Sequence, residues 1–93
     1  MHPPVTHFAN ADYWALYHRL PADVRETADR CFTLLKSDPK HPSLHFKKIG
    51  DLWSVRVGLH YRALGVDADG SQDGVLWFWI GPHAEYDHII KHK

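Results

Sequence analysis

Ser54-Val55-Arg56-Val57-Gly58-Leu59-His60-Tyr61-Arg62-Ala63-Leu64-Gly65-Val66 is the stretch on which the fold turns. It alternates up to Val57, breaks at Gly58, and resumes with an aromatic and an arginine, the pattern of two strands joined by a tight turn. If Gly58, Leu59 and His60 form a three-residue turn, Val57 faces Tyr61 and Arg56 faces Arg62. Were Trp53 to Val66 one continuous strand, the arginines would lie about 20 Å apart at ~3.3 Å per residue and could not share one anion. Like charges directly opposed on a strand pair are destabilising. A hairpin that keeps such a pair with no acid of its own has an anion to place there, which points to a phosphate-handling surface.

Outward from this hairpin, Leu52 opens the first strand, with Trp53, Val55 and Val57 on one face and Ser54 and Arg56 on the other. After Val66, Asp67 to Gly74 is a long polar hairpin loop, and Val75 to Ile80 is apolar throughout, as expected of an inner strand covered by helices on one face and shielded on the other. Gly81-Pro82 stops it, and Ala84 to His92 can form a final short helix. On the other side, Lys40-His41-Pro42-Ser43 is a connector. Before it, Asn10 can cap a helix whose apolar positions are Tyr13, Trp14, Leu16, Tyr17 and Leu20. Pro21 suits the first position of a second helix, with Asp23 and Glu26 in its opening turns and Val24, Ala28, Cys31, Phe32, Leu34 and Leu35 as its buried stripe. Asp38-Pro39 ends that helix, and a short strand around Val5 to Phe8 is weakly signalled. The expected fold class is α+β, with two N-terminal helices packed on a small, mainly antiparallel β-sheet and a short C-terminal helix.

Ninety-three residues make one small domain, 1–93, with twelve aromatic side chains for its core. No run of 18 or more apolar residues occurs and Met1-His2-Pro3-Pro4 opens no charged-then-apolar leader, so neither a membrane span nor a signal peptide is expected. The single cysteine, Cys31, allows no internal disulfide, which fits a reducing cytoplasm, and reads as a small core residue. Formal net charge is zero, which argues against a strongly electrostatic nucleic-acid binder. The distribution is uneven, however. Lys40, Lys47, Lys48, Arg56 and Arg62 face one acid, Asp51, between positions 40 and 62, whereas 63–87 carries five acids and no lysine or arginine. The i,i+4 pairs His41/His45 and His88/His92 have metal-ligand spacing but no completing cysteine or carboxylate motif, so no metal site and no cofactor is expected.

In its order of motifs the sequence resembles the RelE/ParE superfamily of small bacterial toxins from type II toxin–antitoxin modules. The matching elements are the Leu20-Pro21 and Val24-Arg25 helix start, DPKHPSLHFKKI (38–49), SVRVGLHYRALGV (54–66) and WIGPHAEYDHII (79–90). The likeness runs from about Trp14 to Ile90 and lies in the combination of motifs, none of which is unique. It implies a RelE-like sheet with two N-terminal helices on one face, and one of two activities. One is metal-independent mRNA cleavage in the ribosomal decoding site; the other is poisoning of DNA gyrase without nuclease chemistry. A cognate antitoxin is the implied protein partner.

The resemblance also implies site residues. Arg62 matches the arginine that nuclease members place at the scissile phosphate, a role its fork of donors suits; the bland alternative is a solvated strand residue or an ion pair with Asp51 or Glu85. Arg56 becomes a second phosphate contact if the hairpin register holds. His83 stands where the family keeps an Arg or His as general acid, and imidazole titrates in the right range. Tyr86 fits the family's C-terminal tyrosine, which orients or stacks on a nucleotide, or else it packs the last helix onto the sheet. Of Lys47 and Lys48 only one can point to the basic face of an extended segment, there to touch RNA backbone. His60 is a base or a turn residue. The chain departs from the family in its neutral charge and in Ser54, where some nucleases carry a catalytic lysine; Glu85, Lys47 and His60 are the substitutes for the missing base. A degenerate, non-toxic member is a third reading.

Overall fold

Asn10 starts the first helix in the way the sequence predicts. Its side chain accepts a hydrogen bond from the Tyr13 N–H at 2.9 Å, satisfying one of the orphan donors of α1 (Ala11–His18). The computed structural model describes residues 6–68 and 74–92. Pro21 sits one place earlier than expected: it is the N-cap residue of α2 (Ala22–Ser37), not its first helical residue. Its carbonyl still accepts from the N–H groups of Val24 and Arg25 at 3.0 Å, so the proline ends one helix and launches the next. After a single 3₁₀ turn at Pro42–Leu44 come β2 (Lys47–Ile49), β3 (Leu52–Val57), β4 (Tyr61–Asp67), β5 (Gly74–Pro82) and α3 (His83–Lys91). The expected N-terminal strand is β1 (Thr6–Ala9), shifted by one residue; Val5 and residues 69–73 of the expected loop lie outside the described residues.

The five strands lie in the order β1-β5-β4-β3-β2, antiparallel except for the β1–β5 pair. The β3–β4 register is the one read from the turn, with Val57 opposite Tyr61 and Arg56 opposite Arg62. Gly58 makes that turn possible with φ +64°, a left-handed conformation that other residues adopt only under strain. One short strand, β2, and the pairing of the expected β1 escaped the sequence pattern. β2 has only three residues, two of them lysines, and β1 joins the sheet by a parallel pairing with residues about 70 positions away.

Helices α1 and α2 cover one face of the sheet. Trp77 lies at the centre of that core, fully buried, with Phe32 edge-on at 5.2 Å and Leu35, Val55, Val57 and Ile80 in the same cluster. Such large buried side chains each contribute about 1.5–3 kcal/mol relative to exposure. A register irregularity between Leu64 and Gly65 sets Trp79 against Leu64 and Trp77 against Gly65, leaving Phe78 without an opposite number. As a result Trp77 and Ile80 both face the helical core, while Trp79 turns to the second face. That face is covered by α3, beneath which Leu64, Ser54 and Tyr86 are buried. Among the described residues no helix is long and apolar enough to cross a membrane.

Candidate functional site

The second face of the sheet gathers most of the predicted residues. Arg56 on β3 stands opposite Arg62 on β4, and Arg62 stands opposite Gly81 on β5. Opposed Cα atoms on antiparallel strands are about 5 Å apart, so these positions form one short row across three strands. Gly81 is required here: a Cβ would lie 2.7 Å from the Trp79 indole and 3.2 Å from Glu85 Oε2. Arg56 Nε donates to the Gly58 carbonyl at 3.1 Å and Arg62 Nη1 to the Tyr61 carbonyl at 2.7 Å. Both bonds hold the guanidinium stems to the hairpin's own backbone. Among the described residues neither arginine has an ion-pair partner, so the pairing of Arg62 with Asp51 or Glu85 does not form. Burial, and then the neighbouring Arg56, lower the affinity of Arg62 for its proton, while Tyr86 and Asp87 act in the opposite direction. The field at this spot is positive and only partly compensated.

His83 opens α3 directly after the inner strand. Its backbone N–H donates to the His60 carbonyl at 2.8 Å, tying the start of the helix to the β3–β4 turn. Its Nε2 lies 3.2 Å from Asp87 Oδ1, and its ring meets Tyr86 edge-on with centroids 5.8 Å apart. His60 itself is exposed in the turn beside this row. Lys47 lies opposite Ser54, on the arginine face and exposed.

Two of the candidate residues stand apart from this row, each in a way the sequence had left open. Lys48 is opposite Trp53 and so belongs to the other face, where Nζ pairs with Asp67 at 2.8 Å. The Trp53 indole N–H donates to the same carboxylate at 2.7 Å, and these two bonds, Lys48's first, hold Asp67 below the usual carboxylate range. Tyr86 is 8% exposed and its hydroxyl accepts a hydrogen bond from Ser54 Oγ at 2.9 Å. A ring so covered packs α3 onto the sheet; stacking on a nucleotide requires an open face. Of the substitutes for the missing base, Glu85 lies toward a recess it shares with Trp79 and His88, while Lys47 and His60 border the arginine row.

Sequence reasoning did not find Asp87, although its i+4 spacing from His83 on a predicted helix was a visible signal. It marked Ser54 only as a departure, because a partner 32 residues away leaves no local trace. The His88 and His92 rings lie 4.3 Å apart, but among the described residues no group of three His, Cys, Asp or Glu side chains is placed to hold a metal.

No family model matches the chain, and no curated protein matches it by sequence. Its shape is another matter. It is similar to the toxin–antitoxin complex RelBE2 from Mycobacterium tuberculosis, with TM-score 0.63 and 19% identity over 87% of this chain and 100% of that one. It is also similar to the isolated E. coli RelE toxin (TM-score 0.60, 14% identity, 95% of this chain and 97% of that one). A YoeB/ParE toxin from Agrobacterium tumefaciens aligns with TM-score 0.62 and 16% identity over 84% of this chain and 98% of that one. Two helices on one face of a five-stranded, mostly antiparallel sheet, with a third helix on the other, are common ground that survives this sequence distance. The chain has the fold of the RelE/ParE superfamily of toxins.

Proposed function

We propose that this chain is the toxin of a type II toxin–antitoxin module, a metal-independent endoribonuclease that cuts mRNA on the ribosome. The observation that carries the reading is the Arg56–Arg62 pair: two opposed guanidinium groups with no carboxylate partner among the described residues, on a row that meets β5 at Gly81, two residues before His83. RNA cleavage of this kind needs a base for the 2′-hydroxyl proton, cations for the crowded phosphate and an acid for the departing 5′-oxygen. Preorganised cations are commonly the largest contribution, and an acid–base group adds about 10²–10⁴-fold. Arg62 and Arg56 take the phosphate, His83 transfers a proton, Tyr86 holds α3 in place, and Lys47 and His60 border the path of the RNA backbone. Lys48 has no part in this arrangement. A cognate antitoxin keeps the toxin silent, a partner in keeping with the antitoxin bound in the RelBE2 complex.

The experiment is induction of the chain in growing cells with labelled amino-acid and thymidine incorporation followed side by side. Translation stops first, and Arg62→Ala or His83→Ala relieves the arrest without lowering the melting temperature. Arrest that survives both changes in a folded protein removes the reading.

Zero net charge favours a second reading, a gyrase poison acting by surface contact, since binding to ribosomal RNA rewards a basic protein. It predicts blocked supercoiling with translation continuing. Cells that keep growing on overexpression identify a degenerate, non-toxic member.

A further inference from the structure

Asp87 has no part in the reading above, yet it touches the group that moves the proton. It lies one turn after His83 on α3, its Oδ1 3.2 Å from His83 Nε2. Both side chains are about half exposed, so as an ion pair the contact stabilises the fold little. What it does is assign the imidazole's two nitrogens. The carboxylate lies at contact distance from Nε2, and its negative charge favours a hydrogen on that nitrogen in the neutral ring as in the charged one. Nδ1 has no hydrogen-bond partner among the described residues, and it is the nitrogen left to gain and lose a proton. The charged and titratable groups about this ring are Asp87 and Tyr86 on α3, His60 in the β3–β4 turn, and Arg62 with Arg56 on the strands. Asp87 also favours the charged form of Arg62, so one carboxylate acts on both the proton carrier and the phosphate cation.

We propose that Asp87 is a positioning residue for His83: it holds the ring through Nε2 and makes Nδ1 the atom that delivers a proton to the departing 5′-oxygen. The inference rests on the nuclease reading. In the step, the 2′-oxygen bonds to phosphorus and its proton passes to solvent water. The phosphorus–5′-oxygen bond breaks, the 5′-oxygen takes the Nδ1 proton, and the ring is left neutral with its Nε2–H still beside the Asp87 carboxylate. No net charge is created or lost at the carboxylate.

The test compares two mRNAs on programmed ribosomes, one with the natural linkage and one with a bridging 5′-sulfur at the scissile position. Sulfur leaves readily without a proton. On the natural linkage Asp87→Ala and His83→Ala each slow cleavage ten-fold or more. The double variant is no slower than His83→Ala alone, and Asp87→Glu recovers most of the rate. On the sulfur linkage both single defects shrink to within about two-fold of wild type, since a group that acts only through the general acid has nothing left to do. If Asp87→Ala slows both linkages equally, or adds to His83→Ala, the positioning role is wrong while the nuclease reading stands. If the wild-type chain cuts neither RNA, the nuclease reading falls and takes this inference with it.

Discussion

Arg56 and Arg62 repel one another across the β3–β4 ladder, and the fold tolerates it. A directly opposed like-charge pair destabilises by about 0.2–1 kcal/mol. Arg56→Gln removes that repulsion, so its melting temperature should equal or exceed that of the wild type while growth arrest weakens; calorimetry beside a viability assay checks both. A variant that lost stability and toxicity together would show that Arg56 is a structural residue. A second residue works the other way. His7 Nδ1 accepts a hydrogen bond from the buried Trp77 Nε1 at 3.0 Å, and burial followed by Lys36 lowers the affinity of this imidazole for its proton. The unfolded chain therefore takes up a proton first, so the contribution is intact above the ordinary histidine value of about 6.5 and is lost as pH falls through the lower folded value. Protonation would also leave a buried indole N–H unpaired, at about 1–3 kcal/mol. His7→Asn, which keeps an acceptor without a titration, should flatten the acid side of the stability–pH curve; unchanged slopes in urea melts at several pH values would refute this.

At the scale of elements, α3 depends on one buried hydrogen bond. Ser54→Ala strands the Tyr86 hydroxyl and should cost about 1–3 kcal/mol, whereas Ser54→Ala with Tyr86→Phe, which removes both partners, should recover much of that loss. Chemical denaturation of these two variants and of Tyr86→Phe alone closes this cycle, and simple additivity would contradict the coupling. The β3–β4 turn makes a similar demand. Gly58→Ala places a side chain at φ +64° and 3.3 Å from Thr27 Cγ2, for about 1–2 kcal/mol of strain, and it disturbs the carbonyl that Arg56 holds. Leu59→Ala at the exposed tip of the turn should be near neutral in the same melts. This hairpin was legible in the sequence because a glycine between two β-patterned runs determines its own register. Asn10 and the α2 stripe were legible for the same local reason. β1 was only weakly signalled and its partner not at all, and β2 was not seen, since four and three residues carry little periodicity and a parallel partner is chosen by tertiary packing alone.

On the scale of the whole molecule, charge is sorted by face more than by number. Lys47, Arg56 and Arg62 share the second face, while Lys48 is neutralised by Asp67 on the first. With about three phosphate contacts, single-stranded RNA binding should fall with salt at a log–log slope of about −2, measured by fluorescence titration. A slope several-fold steeper would mean that other cations take part. The gathering of Arg56 and Arg62 was legible from the turn. Whether Tyr86 faces RNA or the sheet, and which of Lys47 and Lys48 joins the arginine face, were not, because each depends on which strand or helix lies against it. The Asp87–His83 contact is local to α3, and its i,i+4 spacing was a signal left unused. Phe78 bears on the same two layers. Two tryptophans set two positions apart would ordinarily share a side of the ribbon; the unmatched residue between them lets a single strand hand one indole to each layer. Losing Phe78 would leave Trp79 and Trp77 as neighbours on a regular strand, still opposite Leu64 and Gly65 and still on opposite faces, whereas losing a paired residue beside it would turn the side chains upstream inside out.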